Sequence, residues 1–351
     1  MSTLVFLLPF FLIYMVLAVY AERKISAFMQ DRLGPMEVGY YGILQTVADL
    51  LKLLQKEDLV PAKADKLMFK LAPLVIFVAV FSGFSVLPLN AGWAGSSVSS
   101  GLFFLLAIIS LDVIGILMAG WSSNNKYSVL GTMRSAAQII AYEIPLGLSI
   151  VCVVLTCQTL DLQEISFQQS ANASEASYFL GIKSISSNQW GGFLTWNIFR
   201  MPLLFFAWII FFIASLAECN RAPFDLPEAE SELVAGFQTE YSGFRWAIIM
   251  LAEYAMMLLV SFLGAILFFG SWNTPFPNIG DLRFADWTSG SGWGIFWLVG
   301  KALLFVSLQI WVRWTFPRLR LDHLMSLSWK YLTPAALLLI ILCSTWKVMI
   351  A

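Results

Sequence analysis

The stretch from Glu218 to Tyr241 reads ECNRAPFDLPEAESELVAGFQTEY, and it sets six carboxylates, Glu218, Asp225, Glu228, Glu230, Glu232 and Glu240, against a single arginine, Arg221. Apolar runs at 194–217 and 244–268, each long enough to cross a bilayer, flank it on both sides. A plain connection between two membrane helices needs no such charge density. Like charges held this close compete for protons and titrate as a coupled set. Charge alone would leave the stretch solvated. Pro223, Phe224, Leu226, Leu233, Val234 and Phe237 argue instead for a segment folded back into protein, where that apolar surface leaves water.

On either side of this stretch the composition decides the class. Of 351 residues, 59% are hydrophobic and 12% charged, roughly half the charged share of an average soluble domain. The chain reads as an all-α polytopic membrane protein, a single integral membrane domain over 1–351. A hydrocarbon core of about 30 Å takes ~20 apolar residues per helix. Eight stretches reach that length, at approximately 4–22, 68–89, 102–121, 136–157, 194–217, 244–268, 293–314 and 331–349. An even number returns both termini to one side. Of the 21 Lys and Arg residues, 16 fall in or beside the four loops that follow odd-numbered helices, so these loops are cytoplasmic and the termini face outward.

The same inventory excludes several functions. The formal charge is −1 and no basic patch with interleaved aromatics occurs, so nucleic acid is not an expected partner. The run from Leu4 to Tyr20 lacks a basic leader and a small-residue cleavage site, and reads as a retained helix. Cys152, Cys157, Cys219 and Cys343 have no metal-ligand spacing, and His323 is the sole histidine. No metal, haem or iron–sulfur ligation is expected in this chain.

The loop after the first helix is the most basic, with Arg23, Lys24, Arg32, Lys52, Lys56, Lys63, Lys66 and Lys70. Within it Tyr40, Leu44, Val47, Leu51 and Leu54 recur every four and three residues, while Gln45, Asp49, Lys52 and Lys56 share the opposite face. This pattern predicts an amphipathic helix over 40–56 that lies at the cytoplasmic membrane surface, its basic ends near lipid phosphates. Such a wall suits an amphiphile entering sideways from the bilayer. Inside the apolar runs, Glu143, Glu253 and Asp112 are the costly ionisable residues, and each is a functional candidate by default.

Four blocks carry a family resemblance. AERKISAFMQDRLGP (Ala21 to Pro35) followed by VGYYGILQTVADLLKLLQKE (Val38 to Glu57) resembles the first loop of the quinone-site membrane subunit of respiratory complex I, designated the H subunit in bacteria. GWSSNNKYSVLGTMRSAAQIIAYEIPLGLS (Gly120 to Ser149), the acidic stretch continued to Gly243, and PRLRLDHLMSLSWKYLTP (Pro317 to Pro334) resemble the same family in the same order. Met36 stands where that pattern usually has Asn, and Thr46 where it commonly has Pro.

The resemblance implies a membrane subunit of a proton-pumping NADH:quinone oxidoreductase, a translocase of the respiratory chain in the bacterial inner membrane. Such a component carries no redox centre of its own: FMN and iron–sulfur clusters belong to partner subunits, and quinone, ubiquinone or menaquinone, is the substrate. Its partners are other membrane-arm subunits, the quinone-facing hydrophilic-arm subunits and lipid. Carried onto matching positions, the quinone-site residues are Glu22, Arg23, Gln30, Arg32, Ala48, Asp49, Lys52, Phe224 and Asp225. The proton-relay residues are Glu143, Glu218, Glu228, Glu230, Glu232, Glu240 and Glu253. Two other readings stay open in the residues themselves: a free-standing ion-coupled transporter with the same buried carboxylates, and a membrane-bound hydrogenase without quinone.

Overall fold

A computed structural model describes residues 2–94, 98–170, 191–226, 233–278, 284–288 and 290–350. Helices dominate. The first, α1 (Ser2–Met29), is followed by a 3-10 turn at Tyr40–Gly42 and by α2 (Gln45–Gln55). Then come α3 (Lys66–Gly83), a hairpin of β1 (Pro88–Asn90) and β2 (Trp93–Ala94), α4 (Gly101–Ile109) and α5 (Leu111–Ser122). Next are α6 (Lys126–Cys157), α7 (Leu162–Gln168), α8 (Asn197–Arg200), α9 (Leu203–Glu218) and α10 (Gly243–Phe268). The chain closes with α11 (Phe284–Trp287), α12 (Ser291–Thr315), α13 (Leu321–Ser326), a π-turn at Leu327–Leu332 and α14 (Thr333–Ile350).

Side-chain caps fix several starts. Asp65 accepts from Leu67 N and Met68 N ahead of α3, Asn125 from Tyr127 N ahead of α6, and Asp161 from Gln163 N ahead of α7. Each satisfies amides that have no partner within their own helix. At the centre lies α10, whose second half is buried on all sides. A helix apolar all round belongs there.

Among the described residues, six spans are long and apolar enough to cross a membrane: 66–86, 101–122, 126–157, 243–268, 292–315 and 321–349. This is fewer than the eight expected. The run at 194–217 is broken, because Pro202 cannot donate an amide hydrogen bond and the chain restarts there as α9, only 16 residues long. The run at 4–22 lies inside α1, a longer helix that continues past Arg23 to Met29. Helix α6 also outgrows its apolar core, spanning 32 residues where the sequence pattern suggested 136–157.

Two glycines set the architecture near the acidic stretch. A Cβ on Gly131 of α6 would lie 2.7 Å from Gly236 Cα, so only glycine lets α6 touch the 3-10 turn Gly236–Gln238. Gly42, at φ +78, abuts Pro35 O, where a Cβ would sit at 2.3 Å. That turn delays the amphipathic helix, so α2 covers 45–55 rather than 40–56, and Tyr40 and Leu44 fall outside it.

Loops gather at two ends. At one, Asp65 N bonds Ser122 O, Leu59 N bonds Ser242 Oγ, Asn125 bonds Glu240 and Leu319 N bonds Pro223 O. The other end is tied by a buried polar network centred on Gln169. Its Nε2 donates to Ile165 O and Ile266 O, and its Oε1 accepts from Asn197 N and Gly270 N. Asn197 Nδ2 donates to Leu267 O, and Lys301 Nζ to the carbonyls of Phe269, Ser271 and Asn273 at 2.6–2.9 Å.

Candidate functional site

A cavity of about 390 Å³ opens among α1, α2, α10, α12 and Arg221 of the acidic stretch. Helical spacing builds its apolar wall. Leu12, Met15, Val16 and Val19 lead at three- and four-residue steps to Glu22, Arg23 and Ser26 on the same face of α1. Opposite stand Trp246, Ala247, Met250, Leu251, Glu253 and Tyr254 of α10, which share a face by the same rule. Thr46, Asp49, Leu50 and Leu53 turn inward from α2, whereas Val47, Leu51 and Leu54 stay exposed on its outer side.

The polar wall is organised around Glu22. Tyr254 donates its hydroxyl to Glu22 Oε2 at 2.6 Å, Arg221 Nη1 lies 3.6 Å from the same oxygen, and the Arg313 guanidinium bonds Oε1. The Arg221 guanidinium also lies over the Tyr254 ring, 4.4 Å from its centroid. Glu22 and Arg221 are both buried. Removing one member of such a group leaves uncompensated charge, typically at a cost of about 3–5 kcal/mol. By contrast Arg23 and Asp49 pair at 2.5 Å with their side chains 45% and 35% exposed, so this pair orients more than it stabilises. Gln45 Nε2 holds the other Asp49 oxygen at 3.1 Å.

Glu22, Asp49 and Glu253 balance Arg23, Arg221 and Arg313 around the space. A neutral total with donors converging on one side of an apolar chamber suits an uncharged ligand that has hydrogen-bond acceptors at its head and a greasy body. The volume falls in the usual range for small-molecule sites, roughly 300–1,000 Å³.

Arg221 is the residue of the acidic stretch that lines the chamber, and most of the described part of the stretch is packed into protein, Val234 excepted. In it Glu218, Asn220, Arg221, Phe224, Asp225, Leu226, Leu233, Phe237 and Gln238 are buried. Tyr241 stacks on Phe69 at 4.2 Å, and burial pushes its phenol up to about 12. Gln238 Nε2 donates to Glu253 Oε1 at 2.7 Å, which ties the stretch to α10.

A family model described as NADH dehydrogenase matches residues 1–344. The chain belongs to this family. It is similar to an H-type subunit, numbered 2, of the NADH-quinone oxidoreductase of Cytophaga hutchinsonii, 59% identical over 361 residues that cover 99% of both chains. The H-type counterpart of Chlorobium luteolum is 51% identical over 98% of this chain and 87% of its own, and that of Bacillus cytotoxicus 46% identical over 94% and 88%.

Of the residues that the NADH dehydrogenase resemblance put forward for quinone, the structure brings Glu22, Arg23 and Asp49 together on the cavity wall. Gln30, Arg32 and Lys52 are exposed, Ala48 is half-buried, and none of these four is a wall residue. Phe224 and Asp225 also lie off the wall. Phe224 packs on Tyr142, ring centroids 5.2 Å apart, and Asp225 bonds Arg318 at 3.1 Å. Chain reversal at the buried Arg221–Asp225 corner turns Arg221 toward the cavity, and the side chains of Phe224 and Asp225 away from it.

Among the relay candidates, Glu253 lines both the large cavity and a second one of about 20 Å³, which it shares with Glu218. Glu143 is half-buried in α6 within electrostatic reach of Glu218. Glu240 accepts from Asn125 Nδ2 at 2.6 Å. Glu228, Glu230 and Glu232 lie outside the described residues. Sequence reasoning missed Arg313 and Tyr254 and gave Arg221 no role. An arginine at the very end of the apolar run 293–314, and the lone arginine among six acids, were the available signals. Among the described residues no group of three or more His, Cys, Asp or Glu is placed to hold a metal ion.

Proposed function

We propose that this chain is the quinone-chamber subunit in the membrane arm of a proton-pumping NADH:quinone oxidoreductase, with eight membrane passes and both termini on the outer face of a bacterial cell membrane. The observation that carries this reading is the Glu22–Arg221–Arg313–Tyr254 cluster on the wall of a mostly apolar cavity beside the amphipathic helix α2. Its two arginines are donors for a quinone carbonyl, the Tyr254 hydroxyl is spent on holding Glu22 in place, and the apolar wall takes the ring and tail. Reduction of a quinone adds two electrons and two protons. The electrons come from iron–sulfur clusters in hydrophilic-arm partners, which dock on the cytoplasmic loops. The change of charge at the head group acts on Glu22 and Glu253, and from there on the buried carboxylates toward neighbouring membrane subunits.

Purification from mild detergent tests this. The expected product is a large assembly with iron–sulfur absorbance and stoichiometric quinone that is lost when Glu22 is replaced. A lone chain or simple oligomer without such absorbance would establish a free-standing transporter instead, and an iron–sulfur assembly without quinone would point to a hydrogenase.

A further inference from the structure

Helix α5 carries a carboxylate where its neighbours carry core residues. Asp112, Gly115, Ile116 and Ala119 recur at steps of three, four and seven, and all four are buried. Asp112 is 8% exposed, and its Oδ1 has no hydrogen-bond partner among the described residues. The same holds for Oε2 of Glu218, which is 3% exposed. Both residues line the cavity of about 20 Å³, together with Glu253, Cys219 and Asn220. Among the described residues, Glu143 and Asp112 act electrostatically on Glu218, and Arg221 on the adjacent Cys219.

A buried carboxyl oxygen without a partner is costly, and two around one space are more so. A polar cavity of roughly 10–15 Å³ is enough for one water molecule with two to four polar partners. The available partners here are Asp112 Oδ1, Glu218 Oε2 and the Glu253 carboxyl.

We propose that this cavity is a binding site for a single water held between Asp112 and Glu218, and that Asp112 is a positioning residue for proton transfer from Glu253 to Glu218. The inference rests on the quinone-chamber reading above. A proton leaves the Glu253 carboxyl for the water oxygen, and another proton of that water passes to the Glu218 carboxylate, so water and total charge are conserved. Asp112 accepts the water's remaining hydrogen bond and fixes its orientation. That task explains why a carboxylate, rather than an apolar side chain, occupies a core position of α5.

The test uses the assembled complex with Asp112→Asn and Asp112→Glu. With Asp112→Asn, quinone-coupled turnover should fall about tenfold, with the KM for quinone and the reduction of a hydrophilic acceptor unchanged. Asp112→Glu should restore most of the rate. In redox-triggered infrared difference spectra one carboxyl band should vanish in the asparagine variant and shift in the glutamate variant. Wild-type turnover and unmoved bands in Asp112→Asn would overturn the proposal, as would a raised KM at constant kcat. Should the asparagine variant fail to assemble, an unmoved band in Asp112→Glu overturns it and a shifted one supports it. Failure of the wild-type complex to couple quinone reduction to proton movement would instead remove the functional reading itself.

Discussion

The two ends of the helix bundle both bury polar side chains, but they use them differently. At the far end, Gln169, Asn197 and Lys301 point almost entirely at backbone: the carbonyls of 165, 266, 267, 269, 271 and 273, and the amides of 197 and 270. Ile266 and Leu267 are in the last turn of α10 and Phe269 is its cap, where a helix lacks its own partners, and 271 and 273 follow directly. At the cavity end, Glu22, Arg221, Arg313 and Tyr254 meet one another around a space. The first arrangement is complete without a ligand. The second keeps guanidinium donors beside an open volume, and that separates a site from a scaffold.

The largest effect should come from the cavity end. Glu22→Gln keeps the shape but removes the charge that two arginines share, and quinone reductase turnover of the assembled complex should fall about a hundredfold, equivalent to ~2.7 kcal/mol. Reduction of a hydrophilic acceptor by the peripheral arm should be spared, and equal loss of both activities would erase the contrast between the ends. Next in size is Lys301→Met at the far end. Loss of the ammonium that three buried carbonyls accept from should lower resistance to heat or detergent by about 2 kcal/mol, with turnover per assembled complex unchanged. A kinetic defect there would show that the far end is not mere scaffold.

Glu143→Gln tests the route away from the cavity. A relay role predicts that reductase activity and proton translocation fall together by about tenfold, whereas a hydrogen-bonding role is served nearly as well by Gln. The smallest effect separates two neighbours on α2. Thr46 is a wall residue and Ala48 is not, so Thr46→Ile should raise the apparent KM for a quinone analogue about threefold and Ala48→Val should change it less. The reverse order would place the ligand's path on the other flank of α2.

Much of this was legible in the residues alone. Hydropathy located most helices, and of the apolar residues interleaved with the acids Phe224, Leu226, Leu233 and Phe237 are packed into protein as their character suggested, while Val234 is exposed. The family resemblance put Glu22 and Arg23 forward, and helical spacing accounts for their sharing a face with Leu12 and Val19 in the structure. What stayed hidden was long-range. Tyr254 and Arg313 lie 232 and 291 residues from Glu22, and no local pattern marks that meeting. The break at Pro202 was masked by continuous hydropathy, although proline itself was in view. The late start of α2 follows from the left-handed Gly39 and Gly42 turn, which outweighs an apolar periodicity that runs straight through it.

Helix α9 has a consequence for the surrounding lipid. Its 16 residues extend only about 24 Å at 1.5 Å per residue, short of a hydrocarbon slab near 30 Å. Phe205, Phe206 and Ile209 lie exposed on its outer side, and under the proposed eight-pass topology acyl chains would meet a surface shorter than they are. The bilayer must pinch locally there, at a fraction of a kcal/mol per ångström, or a neighbouring helix must cover the step. Reconstitution in lipids of graded chain length would tell these apart: the isolated chain should be best retained in the thinner membranes, and an assembly that covers α9 should be indifferent.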